Sequence, residues 1–174
     1  MARVLLVGGG CRGRQLTAEL MAAGHAVRAT TRTEAGRAAI EATGAECWIG
    51  TPDRIASLRY ALENVTALAW LLGTARGEPE GVAALHGSRL AFMLSQTIDT
   101  TIRGVLYEAR GSVAPQVLEQ GGELARAHCA YNAIPYGPIT VDPADGPAWV
   151  AAVHAQLDQL LSAAVPPADM RLRR

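Results

Sequence analysis

The chain contains no lysine, because all 16 basic residues among its 174 are arginines. Chemistry that needs a lysine amine is therefore excluded. The three cysteines are Cys11, Cys47 and Cys129. Their number is odd and their spacing is not that of metal ligands, so we expect reduced thiols in a cytoplasmic protein.

Long apolar runs and a net charge are also absent. No run approaches the roughly 20 residues of a membrane-spanning helix, and the amino-terminal residues lack a secretion-signal pattern. The formal net charge is zero and the pI is about 6.9, which argues against a nucleic-acid-binding surface or a polybasic membrane-binding patch. Apolar residues make up 49% of the chain. These features predict one folded domain, residues 1–165, followed by a basic tail, residues 166–174.

Short apolar segments alternate with helical patterns along the whole chain. We predict helices at residues 15–23, 33–43, 81–95 and 114–126, one that begins at Thr51, and a last one with an apolar stripe from 150 to 165. The predicted strands are residues 4–7, 26–30, 46–49, 67–72, 104–108 and 130–134. Such alternation predicts an α/β, three-layer, Rossmann-like fold, with a doubly wound, six-stranded parallel sheet in the order 3-2-1-4-5-6.

The first strand runs directly into a glycine turn with G-x-G-x-x-G spacing. Gly8 permits the tight turn, Gly10 lets the backbone approach a diphosphate, and Gly13 lets the next helix pack on the strand. Free N–H groups at the positive end of that helix bind the anion. We therefore predict a dinucleotide pyrophosphate site formed by Gly8, Gly10, Cys11, Arg12 and Gly13.

The end of the second strand indicates which dinucleotide is bound. NAD-binding proteins place an acid there for the ribose hydroxyls, but this chain has Thr31-Arg32-Thr33. The Arg32 guanidinium suits a 2′-phosphate, with Thr31 beside it and Arg12 or Arg14 within reach of the same phosphates. This pattern predicts NADP(H); the alternative is that Arg32 is a solvated arginine at a helix start.

In these residues the chain resembles the atypical short-chain dehydrogenase/reductase group, NAD(P)-binding Rossmann proteins with NmrA-like and flavin-reductase-like members. The resemblance covers residues 3–75, including the glycine turn, the 26–32 strand end and the 57–68 segment. It implies that Gly73 and Thr74 line the nicotinamide ribose. Thr51 stands where members often carry an aspartate that contacts the adenine, and Asp53 is the alternative for that role.

The Tyr-x-x-x-Lys pair of the group is missing, since there is no lysine. Pro135-Tyr136-Gly137-Pro138 resembles the segment that members fold over the nicotinamide, which makes Tyr136 the preferred proton donor or substrate-stacking group. His86 is a second candidate acid. The alternatives are a structural tyrosine in a proline turn and a histidine that serves packing. His128 and His154 have no partner at metal-ligand spacing, so no metal site is predicted.

These observations predict an NADP(H)-binding protein, a small reductase that transfers hydride to a small organic acceptor. One alternative is a catalytically silent NADP(H) sensor that acts through a protein partner. Another is a Rossmann domain that no longer holds a nucleotide. The apolar stripes of the last helix and of the 81–95 helix fit either a homodimer interface or burial within the domain.

Overall fold

The structure is a computed structural model that describes residues 1–163. The predicted tail and the end of the predicted last helix lie outside the described residues. Within them, no helix has the length and apolarity needed to cross a membrane. The strands are β1 Arg3–Gly8, β2 Ala26–Thr31, β3 Glu46–Ile49, β4 Ala67–Leu71, β5 Gly104–Glu108 and β6 Tyr136–Ile139. The helices are α1 Gly10–Ala22, α2 Arg37–Glu41, α3 Pro79–Leu85, α4 Ser88–Ser95, α5 Pro115–Tyr131 and α6 Gly146–Ala163, with 3₁₀ helices at Glu34–Gly36 and Ile55–Leu62.

All six strands form one parallel sheet in the order β3-β2-β1-β4-β5-β6. This confirms the predicted topology. Strands β4 and β5 are buried at every residue, as expected when helices cover both faces of a parallel sheet. The carboxyl ends of the strands therefore meet along one edge, which is where open α/β sheets bind ligands.

A separate apolar core lies on each face of the sheet. On one face, α1 and α6 pack over β1 and β4 through Leu16, Leu20, Trp149 and Val153. On the other, α4, α5 and the 3₁₀ helix Ile55–Leu62 cover the opposite side chains of the same strands. Because strand side chains alternate between faces, this arrangement yields the three predicted layers.

The predicted sixth strand, residues 130–134, is wrong. Helix α5 continues to Tyr131, the chain turns at Ala133 with φ 53°, and β6 begins only at Tyr136. Cys129 is buried one helical turn after Ala125, so this segment belongs to the apolar stripe of α5. Pro138 lies within β6, which is tolerated because β6 is an edge strand.

Three predicted helices also differ from those observed. The helix predicted for 81–95 is divided into α3 and α4 at His86 and Gly87, where Gly87 has a non-helical backbone with φ −121° and ψ −108°. The helix predicted for 33–43 is a 3₁₀ turn followed by the five residues of α2. The helix predicted to begin at Thr51 begins at Ile55 and is 3₁₀.

Gly121 of α5 lies directly against Tyr107 of β5. A Cβ on Gly121 would lie 2.1 Å from Tyr107 Oη and 2.9 Å from the His86 carbonyl oxygen. We predict that Gly121→Ala lowers the free energy of unfolding by about 1–3 kcal/mol through overpacking. Urea denaturation measures this change.

The matched control is Gly122→Ala, one residue along α5. Its Cβ would contact Tyr136 Oη at an ordinary 3.5 Å. Because alanine favours the helix, this variant should be unchanged or more stable by up to about 1 kcal/mol. Equal effects of the two substitutions would contradict the close approach at Gly121.

Candidate functional site

Three consecutive glycines carry the chain from β1 into α1. The φ angles of Gly8, Gly9 and Gly10 are 90°, 84° and 53°, in the left-handed region that favours glycine. A Cβ on Gly8 would lie 2.4 Å from the Leu71 carbonyl oxygen, and one on Gly13 would lie 3.0 Å from that of Gly8. A Cβ on Gly10, in contrast, would meet nothing within 4 Å. The turn is thus closed against β4 and open where Gly10 faces outward.

Backbone N–H groups are available at this turn. The first intrahelical bond of α1 runs from Gly13 N–H to the Gly9 carbonyl oxygen, at 2.9 Å. The N–H groups of Gly10, Cys11 and Arg12 precede it and have no acceptor within the helix. They lie at the positive end of the helix dipole, so the turn offers an anion-binding site.

A cleft of about 900 Å³ opens beside the glycine turn at the carboxyl ends of β1 to β4. Its lining comes only from the stretch between Leu6 and Leu85, and no later residue of the described chain contributes. The structure brings together here most of the candidate binding residues, namely Gly8, Gly10, Gly13, Thr31, Arg32, Thr51 and Thr74. Cys11, Arg12 and Gly73 adjoin the cleft but do not line it.

The cleft has an excess of positive charge. Arg14, Arg32 and Arg76 line it and are exposed, and none of the three forms an ion pair within residues 1–163. Of the two acids in the lining, Asp53 is neutralised by Arg89 at 2.8 Å. Glu78 is the other. Such a cleft is suited to an anion with more than one phosphate.

The loop after β3 is fixed by its own side chains. Thr51 is buried, its Oγ1 accepts a hydrogen bond from the Asp53 N–H at 3.2 Å, and its own N–H donates to Ser57 Oγ at 2.9 Å. Asp53 holds α4 through Arg89. This wall of the cleft is therefore rigid.

Arg12 is not placed as the sequence predicted. Its guanidinium donates to Thr74 Oγ1 at 3.0 Å, lies 3.5 Å from Glu108 Oε1, and stacks 5.0 Å from the centroid of a Trp149 ring. A guanidinium held by a hydroxyl, a carboxylate and an aromatic face is engaged by the protein itself. The Arg12 side chain does not line the cleft, whereas Arg14, the alternative for the phosphates, does.

Glu108 is a site residue that sequence reasoning missed. It ends β5, is fully buried, and its Oε2 accepts a hydrogen bond from the Gly73 N–H at 2.6 Å. Burial raises the pKa of its carboxyl group above the ordinary value, although Gly73, Arg12 and the Trp149 indole act in the opposite direction. The sequence signal was available, since an acid that ends an apolar, doubly covered strand must find a buried partner.

Neither of the two candidate proton donors, Tyr136 and His86, lines the cleft. Tyr136 begins β6 and pairs with Val105, at the amino end of the sheet, and burial raises the pKa of its hydroxyl group to about 12. The prediction that it follows the sixth strand is wrong, because that strand begins at Tyr136.

His86 is buried, with Nδ1 2.7 Å from Tyr107 Oη and Nε2 3.2 Å from the Leu72 carbonyl oxygen. Burial lowers the pKa of His86. Both of its ring nitrogens therefore have polar contacts within the fold, and His86 does not line the cleft.

No protein-family profile matches this chain, and no curated protein sequence does. Solved structures do share its fold. A putative NAD-dependent epimerase/dehydratase from Bacillus halodurans is 16% identical with a TM-score of 0.61, over 82% of this chain and 71% of that one. The structure of BdcA (YjgI) from E. coli is 13% identical with a TM-score of 0.71, over 88% and 89%.

The Citrobacter sp. triphenylmethane reductase complexed with NADP(H) is 18% identical with a TM-score of 0.60, over 80% of this chain. The match spans only 48% of that reductase and 56% of vestitone reductase from alfalfa. At these identities the likeness concerns the fold. The chain has the Rossmann fold of NAD(P)-dependent epimerases and reductases, as its sequence resemblance implied.

The raised pKa of Glu108 predicts a pH dependence of stability. In the unfolded chain the carboxyl ionises near its ordinary pKa of 4.5, whereas the folded protein retains the proton to higher pH. The stabilisation that the protonated Glu108 carboxyl gives to the folded state is therefore fully present below the unfolded-state pKa. It is lost as the pH rises through the folded-state pKa. Relative to Glu108→Gln, the native protein should lose free energy of unfolding as the pH rises above the ordinary pKa of 4.5 and through the folded-state pKa, as measured by urea denaturation.

Glu123→Gln is the control, because Glu123 is exposed and, within residues 1–163, its one ion pair is with the exposed Arg126. That substitution should leave the pH profile unchanged. Parallel profiles for the native protein and Glu108→Gln would contradict a raised pKa at Glu108.

Proposed function

We propose that this protein binds NADP(H) in the cleft beside the glycine turn. The observation that carries the proposal is the juxtaposition of free α1 amides with three arginines that have no acidic partner among the described residues. Those amides suit the pyrophosphate, and Gly10 leaves room for it because its Cβ position is open. A cleft of about 900 Å³ is within the range of cofactor pockets.

Recognition of the 2′-phosphate is assigned to Arg32, with Thr31 beside it. Both line the cleft at the end of β2, where an NAD-binding protein would present an acid. The Thr31 hydroxyl donates to the Thr33 carbonyl oxygen at a long 3.3 Å, so it can turn to a phosphate at little cost. Thr51, on the opposite wall, is the proposed neighbour of the adenine.

The proposed activity is that of a small reductase. When bound, NADPH supplies a hydride. Among the described residues, the cleft lining contains no tyrosine, histidine or cysteine, so we infer an organic acceptor that takes its proton from water. A flavin or a quinone is such an acceptor.

The same observation favours a second candidate, a catalytically silent NADP(H) sensor. A sensor needs the pyrophosphate and 2′-phosphate contacts but no acid, and the described lining stops at Leu85. It would bind the nucleotide without turnover and act through a protein partner.

Substitution of Arg32 tests the cofactor assignment. A charge-assisted hydrogen bond to a phosphate contributes about 1.5–3 kcal/mol. In calorimetry, Arg32→Ala should therefore weaken NADPH binding about 10- to 100-fold and leave NADH binding unchanged.

Arg103→Ala is the matched control. Arg103 is exposed and precedes β5, at the opposite edge of the sheet, so its loss should alter neither affinity. Equal affinities of the native protein for NADPH and NADH would overturn the assignment, as would an Arg32→Ala variant that keeps full NADPH affinity.

A panel of acceptors tests the activity. With NADPH, we expect loss of the reduced-nicotinamide absorbance with flavins or quinones, above the rate without protein, but not with aldehydes, because an alkoxide requires a protein acid. Tight binding without turnover on any acceptor would establish the sensor instead. Aldehyde reduction as fast as quinone reduction would contradict the solvent-protonation argument.

A further inference from the structure

A cluster of potential metal ligands lies at the amino end of the sheet, opposite the cleft. His25 immediately precedes β2, while His154 and Asp158 lie one helical turn apart on α6. Their ligand atoms lie within 4.8 Å of one another. The cluster is therefore assembled by the packing of α6 against the end of α1 and the start of β2.

The separations are unlike those of a hydrogen-bonded network. His25 Nε2 is 3.8 Å from Asp158 Oδ1, and His154 Nε2 is 3.8 Å from Asp158 Oδ2. Both distances exceed a hydrogen bond. Ligand atoms 2.0–2.1 Å from a tetrahedral Zn²⁺ lie about 3.3 Å apart, so small side-chain movements would bring these atoms to coordinating positions.

His154 has an arrangement common around zinc. Its Nε2 faces Asp158, and its Nδ1 is 3.5 Å from Glu19 Oε1 on α1. Histidines that bind metal usually donate their other ring N–H to a carboxylate, which fixes the ring and the tautomer. Glu19 would hold His154 in this way.

His25 is a polar group whose contacts are incomplete. Its side chain is only 9% exposed, and its Nδ1 is buried without a hydrogen-bond partner. Neither ring nitrogen of His25 forms a hydrogen bond within the described residues. The Nε2 atom is the one that faces Asp158, at 3.8 Å, so its lone pair is available to a metal ion, which would leave the proton on Nδ1.

We propose that His25, His154 and Asp158 form a binding site for a divalent ion of the zinc class. Imidazole nitrogens with a carboxylate suit Zn²⁺ rather than Mg²⁺, which prefers oxygen ligands. Three protein ligands leave one position for water. Because the ligands come from α6 and from the residue before β2, the ion would join the last described helix to the start of β2, independently of nucleotide binding.

The test uses tag-free, chelator-treated full-length protein and Zn²⁺ in calorimetry. We expect one ion per chain, and no comparable binding of Mg²⁺. Asp158→Asn and His154→Gln should each weaken Zn²⁺ binding by more than about tenfold, and Glu19→Gln by about 10- to 100-fold. Added Co²⁺ should give the visible bands of a tetrahedral site.

Two controls separate this site from other ligands of the chain. His128→Gln removes a histidine of α5, and Cys11→Ser removes the exposed thiol; neither should change Zn²⁺ affinity. The proposal is overturned if Zn²⁺ does not bind, or if binding is unaffected by Asp158→Asn and His154→Gln. Loss of binding in Cys11→Ser would also overturn it.

Discussion

The contact on which the rest of the structure depends is that between the glycine turn and the end of β4. Gly9 N–H donates to the Leu71 carbonyl oxygen at 2.8 Å, and Gly13 lies on the Gly8 carbonyl group with no room for a Cβ. Any side chain at Gly8 or Gly13 would push α1 off the sheet. The same contact aims the first amides of α1 outward, so one backbone constraint determines both the packing of the domain and the proposed phosphate site.

The arginines near the glycine turn differ in whether they have a partner within the protein. The exposed arginines Arg14, Arg32 and Arg76 line an open cleft and have no acidic partner among the described residues. Toward β5 and α6, Arg12 is held by Thr74, Glu108 and Trp149. The buried carboxylate costs desolvation energy, which the Gly73 N–H and the Arg12 guanidinium offset. In return it fixes the segment after β4, where the second half of a dinucleotide would lie.

Features encoded by neighbouring residues could be predicted from the sequence. The glycine turn, the first five strands and the position of Arg32 depend on short segments with a strong pattern. The sixth strand could not be located in this way, because the short segment from Cys129 to Ile134 fits a strand pattern and a helix pattern equally well. Only the burial of Cys129 one helical turn after Ala125 shows that the segment begins within α5. The break between α3 and α4 likewise depends on the fit of His86 beneath Tyr107.

Contacts between distant residues set the limit of prediction at the site. Arg12 was expected at a phosphate because its position in the motif is adjacent to one, but its partners come from residues 74, 108 and 149. His25 and His154 are similarly remote in the chain and meet only through packing of α6. The spacing of residues along the sequence does not show that these side chains meet in space. The strand order does indicate it, because it shows which residues lie at the carboxyl end of the sheet and which lie at its amino end.

The most direct test of the central claim is an amide NMR titration of the protein with NADP⁺. If the α1 amides bind the diphosphate, the signals of Gly10, Cys11 and Arg12 should shift most, together with Arg32, while those of β6 remain in place. Saturating NADP⁺ that leaves the glycine-turn signals unmoved, or shifts confined to other parts of the chain, would contradict the account.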